Sequence, residues 1–215
     1  MQEFAIVDHI ILSIDSLERG IDLLERETGV RPVYGGAHPG RGTHNALLSL
    51  GGNQYIELLS RNPNDTSELG RQFASRLKEH YGKFKVPTPT GWAMRVTDAD
   101  AERARLIAIG FKASDVRPGS RAKPDGQTLS WKTFDPWGTG DELLPFAIEW
   151  GAGSTHPSLA SPAGCRLADF GMTARSPESV GALFRMAGYP MKVEAGSKDG
   201  LSVTLECPRG RVHFQ

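Results

Sequence analysis

The apolar and polar positions of this chain repeat one plan three times: an apolar strand, a polar helix cap, an amphipathic helix, a glycine and another apolar strand. The three copies run over Ala5–Val33, Gly91–Ala113 and Leu167–Val193. In the first copy, Leu17, Ile21 and Leu24 fall on one face of the predicted helix, as expected for a helix that packs on a sheet. Because further apolar runs follow each copy, the pattern predicts three βαβββ units.

The predicted helices have recognisable ends. Asp15 with Glu18 predicts a capping box for the first helix, Asp98 caps the second, and Ser176 before Pro177 begins the third. The glycines that follow the three helices suit a left-handed stop: Gly29, Gly110 and Gly188.

Apolar runs after each helix predict the remaining strands. They cover 31–34, 43–50 and 54–60 in the first copy, 111–116, 129–134 and 144–150 in the second, and 191–194, 201–206 and 212–214 in the third. An extra helix is predicted over 65–82. We therefore predict an α+β fold: one domain over 1–150, made of units 5–60 and 89–150, and a shorter third unit over 151–215 after a loop linker.

Three polar residues occupy strands that are otherwise apolar. Strand alternation puts His9 on the face of the first strand that does not meet the helix, and Glu57 lies among apolar neighbours in QYIELL. Glu149 has the same company in PFAIEW. A buried carboxylate needs a partner, and one histidine with two carboxylates suits a divalent metal such as Zn²⁺, Mn²⁺, Fe²⁺ or Ni²⁺. The alternative is a histidine satisfied within the sheet, with the glutamates paired to Arg95 or Lys132.

The densest polar and glycine-rich segment runs from His38 to Asn45. Its donors could hold the carboxylate or carbonyl group of a substrate: Arg41, Thr43, His44 and Asn45. The alternative is a turn that merely requires glycine. Of the other histidines, His156 in the linker is interpreted as structural, and His213 in the last strand is a minor candidate for a ligand.

Composition excludes several classes of partner. The 215-residue chain carries 25 basic and 25 acidic residues, so no overall field attracts nucleic acid. No apolar run approaches the roughly 18 residues of a membrane span. The N-terminus lacks the basic start of a signal peptide. Two cysteines, Cys165 and Cys207, suggest neither a disulfide framework nor a metal knuckle, so we expect a cytoplasmic protein.

The segments VDHIILSIDSLERGIDLLERETGV and NQYIELL, and later LLPFAIEW, resemble a glyoxalase-like domain of the vicinal oxygen chelate superfamily over about residues 5 to 160. The resemblance implies paired βαβββ units that form a curved, cup-like mixed sheet, with ligands on the first and last strands of each unit. Those places hold His9 and Glu57 in unit one, and Trp92 and Glu149 in unit two. Trp92 replaces a ligand, which leaves His9, Glu57 and Glu149 as the implied metal site.

Two functions follow from this resemblance. The first is a metal-dependent enzyme that acts on a small oxygenated substrate by isomerase, lyase or dioxygenase chemistry, with Glu149 or His44 moving the proton. The second is a small-molecule binding protein whose pocket is lined by Trp92 and other aromatic residues. The third unit leaves an odd half, so we expect it to pair in a homodimer or to cover a sheet edge.

Overall fold

The computed structural model describes residues 6–38, 40–122, 126, 128–139, 143–189 and 191–215, without the side chain of Phe73. Within these ranges the strands form two sheets. The larger sheet has eight strands and the smaller one four. None of the helices in these ranges is long and apolar enough to cross a membrane.

The eight-stranded sheet is built from two βαβββ units. Unit one consists of β1 (Val7–Ser13), α1 (Leu17–Thr28), β2 (Val33–His38), β3 (Thr43–Gly51) and β4 (Gln54–Arg61). The connecting helix is α2 (Glu68–Tyr81). Unit two consists of β5 (Thr88–Arg95), α3 (Ala99–Ala108), β6 (Arg117–Ala122), β7 (Thr128–Phe134) and β8 (Phe146–Trp150). The predicted α+β class, the repeated units and the extra helix are confirmed.

The two units share one pairing scheme. The first strand of each unit lies parallel to the last, as β1 with β4 and β5 with β8, and the units join where β1 and β5 pair antiparallel. The strand order is β2-β3-β4-β1-β5-β8-β7-β6. The sheet curves until its edge strands approach each other, since the side chain of Arg121 in β6 lies against Gly36 in β2. This curvature produces a concave face.

The third unit has the predicted order of elements but a different pairing. After α4 (Pro157–Ala160) it contains β9 (Arg166–Ala174), α5 (Pro177–Ala187), β10 (Glu194–Ala195), β11 (Gly200–Cys207) and β12 (Gly210–Phe214). Its first strand, β9, lies between β10 and β11 instead of beside the last strand. The boundary between the two domains and the homodimer stay predictions.

Most helix ends follow the predicted signals, but the C-cap of α3 is Ile109, one residue before the predicted Gly110. Asp98 caps α3 by accepting from the backbone N–H of Ala101, and Gly29 ends α1 with φ of 79°. The cap of α1 is Ser16, so the prediction of Asp15 is wrong by one residue. Asp15 instead pairs with Arg19 and Lys85.

The two cysteines correct a further prediction. Cys165 and Cys207, which are 42 residues apart, form a disulfide that ties the start of β9 to the end of β11. Spacing along the chain does not indicate this contact, because the pairing of β9 with β11 creates it. Disulfides persist in oxidising compartments, so the cysteines no longer support the cytoplasmic assignment, which stays a prediction.

Candidate active site

A cavity of about 280 Å³ lies on the concave face of the eight-stranded sheet. Unit one supplies most of its polar side chains, and unit two supplies mainly aromatic and aliphatic ones. From unit one and α2 these are His9, Ile11, His38, Arg41, Thr43, Asn45, Tyr55, Glu57, Leu59 and Tyr81. From unit two they are Arg121, Leu129, Trp131, Thr133, Phe146, Ile148 and Trp150. The cavity therefore has a polar side and an apolar side.

His9 projects from β1 into this cavity because Ile10 and Leu12, its neighbours of opposite parity, are buried in the core. Its Nδ1 lies 2.8 Å from Oδ1 of Asp8. A carboxylate only accepts hydrogen bonds, so Nδ1 carries the proton and donates it. With Nδ1 as the donor, Nε2 points toward Glu57, whose Oε2 lies 3.6 Å away. The ring is also stacked on Tyr55, with centroids 4.6 Å apart.

Asp8 is fully buried and accepts hydrogen bonds from four side chains. Besides His9, the donors are Arg95 Nε, Trp150 Nε1 and His156 Nε2, each 3.1 Å from Oδ2. Burial alone would raise the pKa of Asp8, but the hydrogen bonds from His156 and His9 outweigh it and hold that pKa well below its usual range. Asp8 is therefore a permanent anion that fixes the orientation of His9.

Glu57 lies between two histidines. Its Oε1 accepts a hydrogen bond of 2.6 Å from Nδ2 of Asn45, and Nε2 of His38 lies 3.7 Å from the same oxygen. His38 is held at Nδ1 by Thr43, 2.9 Å away. Burial lowers the pKa of His38 from 6.5, so this imidazole is neutral at pH 7.

The amide of Asn45 is constrained by Glu57. Because a carboxylate cannot donate, Nδ2 must face Glu57, and Oδ1 is left as the one buried side-chain polar atom without a hydrogen-bond partner among the described residues. An unsatisfied buried acceptor costs about 1–3 kcal/mol. Such a cost is typical of a polar arrangement kept for function instead of stability.

Glu149 is not part of this cavity. Its carboxylate accepts a hydrogen bond of 2.8 Å from the backbone N–H of Ala99, at the start of α3, and lies 3.8 Å from Lys132. Phe146, Ile148 and Trp150 of the same strand face the cavity. The prediction that Glu149 joins His9 and Glu57 is therefore wrong, and the alternative pairing with Lys132 is confirmed.

The error with Glu149 is a shift of one residue between the repeats. In β4 Tyr55 lies beside His9, and in β8 Phe146 lies beside Ala93, the β5 residue paired with His9. The equivalent of Glu57, two residues after Tyr55, is thus Ile148. A shift of one residue moves a strand's side chains to the opposite face.

Replacing Glu149 with glutamine tests this placement. We expect Glu149→Gln to lower the free energy of unfolding by about 0.5–1 kcal/mol, because a negative charge is lost from the N-terminus of α3. Ligand binding in the cavity should stay unchanged. Urea unfolding and ligand titration measure the two effects, and loss of binding with unchanged stability would contradict the placement.

Trp92 and His44 also face away from the cavity. Trp92 pairs with Ile10 across β5 and β1, is 1% exposed, and donates from Nε1 to the carbonyl oxygen of Leu143. His44 lies between Thr43 and Asn45 in β3, so alternation turns it to the opposite face, where its ring meets Tyr34. The prediction of Trp92 as a pocket residue is therefore wrong. The structure does not bring His44 to His9 and Glu57, and its catalytic role stays a prediction.

Of the remaining predicted site residues, some lie at the cavity and others lie elsewhere. Thr43 and Asn45 line the cavity and Arg41 lies exposed at its edge, although their role in substrate binding stays a prediction. His213 is exposed in the four-stranded sheet, where Thr204 contacts it, so it is no ligand in this cavity. His156 begins α4 and supports Asp8.

A resident metal ion fits these residues only in part. His9 Nε2 and Glu57 Oε2 are suitable donors 3.6 Å apart, but His38 approaches the other oxygen of Glu57. At the places equivalent to His9 and Glu57, unit two has Ala93 and Ile148. In the described ranges, no group of three His, Cys, Asp or Glu side chains has the spacing of a metal site. Protein metal sites of this kind use at least three protein ligands, so the donor set is incomplete.

The chain belongs to the glyoxalase-like domain family, whose match covers residues 7–186. Its architecture is that of the vicinal oxygen chelate superfamily, as the resemblance implied. A hypothetical protein from Staphylococcus aureus is 17% identical with a TM-score of 0.65, and the match covers 97% of this chain and 84% of that one.

Two further solved structures are methylmalonyl-CoA epimerases. The enzyme from Mycobacterium tuberculosis is 22% identical with a TM-score of 0.43, over 74% of this chain and 96% of that one. The enzyme from Streptomyces coelicolor, in complex with 2-nitronate-propionyl-CoA, is 18% identical with a TM-score of 0.44, over 69% and 96%.

Proposed function

We propose that this protein is an enzyme that transfers a proton on a small oxygenated substrate in the cavity, with His9 as the general base. The observation that supports the proposal most is the alignment of Asp8, His9 and Glu57. Asp8 fixes the tautomer of His9, and Nε2 is aimed into the cavity at a distance from Glu57 that is too long for a hydrogen bond. The lone pair of Nε2 is therefore available to a substrate.

The two carboxylates suit the state that follows proton abstraction. When Nε2 takes a proton from a carbon atom next to a carbonyl group, the imidazolium lies between Asp8 and Glu57. Opposite charges at such distances, away from water, stabilise the cation. General-base catalysis of this kind contributes typically 10²–10⁴-fold to a rate. The chemistry is that of an isomerase or of a lyase that begins with loss of a proton.

Metal dependence is a second version of the same proposal, and the pair formed by His9 Nε2 and Glu57 Oε2 favours it. A divalent ion would supply Lewis-acid polarisation of the substrate oxygens. Dioxygenase chemistry would require further donors beyond this pair. Since the donor set is incomplete, we assign the proton transfer to His9 alone.

Hydrogen–deuterium exchange tests the proposal without a known product. The protein is incubated in D₂O with pyruvate, 2-oxobutanoate, 2-oxoglutarate, acetoacetate and hydroxyacetone, and loss of the C–H signal beside each carbonyl group is followed by NMR. We expect the wild type to accelerate exchange of at least one compound, and His9→Gln to slow that exchange by about 10²–10⁴-fold. Glu149→Gln, on the opposite face, is the matched control and should keep the wild-type rate.

Two further arms separate the alternatives. Adding Zn²⁺, Mn²⁺, Fe²⁺ or Ni²⁺ after treatment with chelator shows whether exchange depends on metal, and oxygen uptake with catechol and Fe²⁺ tests the dioxygenase version. The other candidate function is a non-catalytic binding protein, which the aromatic wall of Trp131, Phe146 and Trp150 favours. Saturable binding with no exchange above the buffer rate, with or without metal, would establish the binding protein and contradict the enzyme.

A further inference from the structure

Arg121 is a buried cation whose guanidinium group is left unpaired by the described part of the chain, although Glu57 attracts it electrostatically. Its side chain projects from β6 into the cavity and is 6% exposed. Among the residues that the structure describes, none forms a hydrogen bond or an ion pair with its guanidinium group. By contrast, Arg95 binds Asp8 at 3.1 Å and Arg103 binds Asp115 at 2.9 Å. Contacts with the described residues thus do not explain why Arg121 is buried.

Leaving such a group unpaired destabilises the fold. A buried charge is strongly unfavourable unless it is paired and hydrogen-bonded. Burial lowers the pKa of Arg121, yet the guanidinium stays charged at neutral pH because the pKa of arginine lies above about 12. A cost of this kind is expected where a residue is kept for a ligand.

The surroundings make room for this guanidinium. A side chain at Gly36 in β2 would place its Cβ 2.9 Å from Nη1 of Arg121, so glycine at this position leaves the space free. Arg41 adds a second positive charge at the cavity edge. Among the described residues that line the cavity, the acidic side chain is Glu57, which already contacts Asn45 and His9.

We propose that the cavity binds a small organic monocarboxylate whose carboxylate group pairs with Arg121. The planar fork of a guanidinium matches a carboxylate with two parallel hydrogen bonds. A monoanion is favoured over a dianion because the carboxyl group of Glu57 lines the same cavity. The apolar body of the ligand would contact Trp131, Phe146 and Trp150, and a volume of about 280 Å³ limits it to a small molecule.

The orientation of this ligand links the inference to the proposed function. With its carboxylate on Arg121, the C–H carbon next to the carbonyl group of a 2-oxo acid can face His9, and this part rests on the proposed role of His9 as a base. The pairing of the carboxylate with Arg121 does not depend on that role, because it concerns binding alone. Binding and exchange measurements therefore test the two proposals separately.

Paired ligands test the inference directly. Pyruvate, 2-oxobutanoate and benzoate are each titrated beside their neutral primary amides, with the fluorescence of Trp131 and Trp150 and calorimetry as readouts. We expect at least one carboxylate to bind with a Kd below about 1 mM and its amide at least 10-fold more weakly. Inorganic phosphate serves as the probe for phosphate groups and should not bind.

Variants of Arg121 complete the test. Arg121→Met should weaken carboxylate binding by at least 10-fold and Arg121→Lys by less, since a lysine keeps the charge but loses the fork. Arg185→Met, in the exposed part of α5, is the matched control and should bind like the wild type. His9→Gln should keep binding even if it abolishes exchange.

A stability measurement distinguishes a ligand-binding role from a structural one. Without ligand, Arg121→Met should raise Tm by a few degrees, because an unpaired buried charge is removed. A lowered Tm would show that Arg121 stabilises the fold and would overturn the inference. Unchanged binding in Arg121→Met, equal binding of acids and amides, a preference for phosphate, or no binding of any carboxylate at about 10 mM would each overturn it as well.

Discussion

Replacing Trp92 with alanine is expected to lower the free energy of unfolding by about 3–5 kcal/mol, the usual cost of removing a large aromatic side chain from a core. Trp92 is 1% exposed and its indole nitrogen donates to Leu143 at 2.9 Å. Its ring packs on Phe170 of β9 and Phe184 of α5, with centroids 5.2 and 6.2 Å apart. The loss should be large because this contact joins the third unit to the convex face of the eight-stranded sheet.

Urea unfolding followed by circular dichroism measures the effect, and Trp131→Ala is the control. Trp131 is a half-buried wall of the cavity, so its removal should cost about 1–2 kcal/mol of stability while weakening ligand binding. For Trp92→Ala we expect the reverse pattern. Intact stability with lost ligand binding in Trp92→Ala would contradict its placement in the core.

The repeat and the helices could be predicted from sequence because their signals are local. Capping residues, glycine stops and apolar periodicity act within a few residues, and Asp98, Gly29 and Gly188 all lie at the predicted helix ends. Strand alternation also placed His9 and Glu57 on one face, which the cavity confirms. For both residues, the alternation of side chains within a single strand was enough to predict the face.

The rest of the site depends on register and on strand ends. Glu149 was predicted on the wrong face of β8. Aligning the glutamates of the two repeats shifts β8 by one residue, and such a shift exchanges the two faces of a strand. His44 was grouped with Thr43 and Asn45 although all three lie in the predicted strand 43–50, where neighbouring side chains alternate between the two faces. Where strands were predicted too early or too short, cavity residues were missed: β6 is Arg117–Ala122, not 111–116, and β2 extends to His38, beyond 34.

Asp8 was missed for a different reason. Alternation puts it on the face opposite His9, and nothing local marks it as functional. Two of its donors, Trp150 and His156, lie 142 and 148 residues away in the chain. Only the folded pairing of β1 with β5, and of β5 with β8, collects these donors around one carboxylate. A network of this kind has no sequence pattern that periodicity can detect.

A loss of catalysis comparable to that of His9→Gln is expected from Asp8→Asn. An asparagine offers one acceptor oxygen where the carboxylate receives four donors, and its NH₂ group would face some of them. His9 would lose the anion that fixes its tautomer, so the exchange rate should fall by about 10³–10⁴-fold, as when the orienting carboxylate of a catalytic histidine is removed. Carboxylate binding through Arg121 should persist, which a merely unfolded variant would not allow.

Stability should fall as well, by about 3–5 kcal/mol, because a buried charge network is broken. Asp15→Asn is the matched control, since Asp15 pairs with Arg19 and Lys85 at the surface and such pairs contribute about 1 kcal/mol or less. Urea unfolding of both variants at neutral pH gives the comparison. Equal stabilities for the two variants would contradict the role assigned to the buried network.

The contribution of Asp8 to the free energy of unfolding should depend on pH. The folded-state pKa of Asp8 lies below its ordinary value of 3.8, so the unfolded chain takes up the proton first as pH falls. The contribution of Asp8 to stability is therefore complete above about pH 4–5 and decreases as pH falls below 3.8 toward the folded-state pKa. The difference in unfolding free energy between wild type and Asp8→Asn should be largest near pH 6 and smaller near pH 3. A difference that stays constant over this range would show that the charge of Asp8 is not what stabilises His9 and its neighbours.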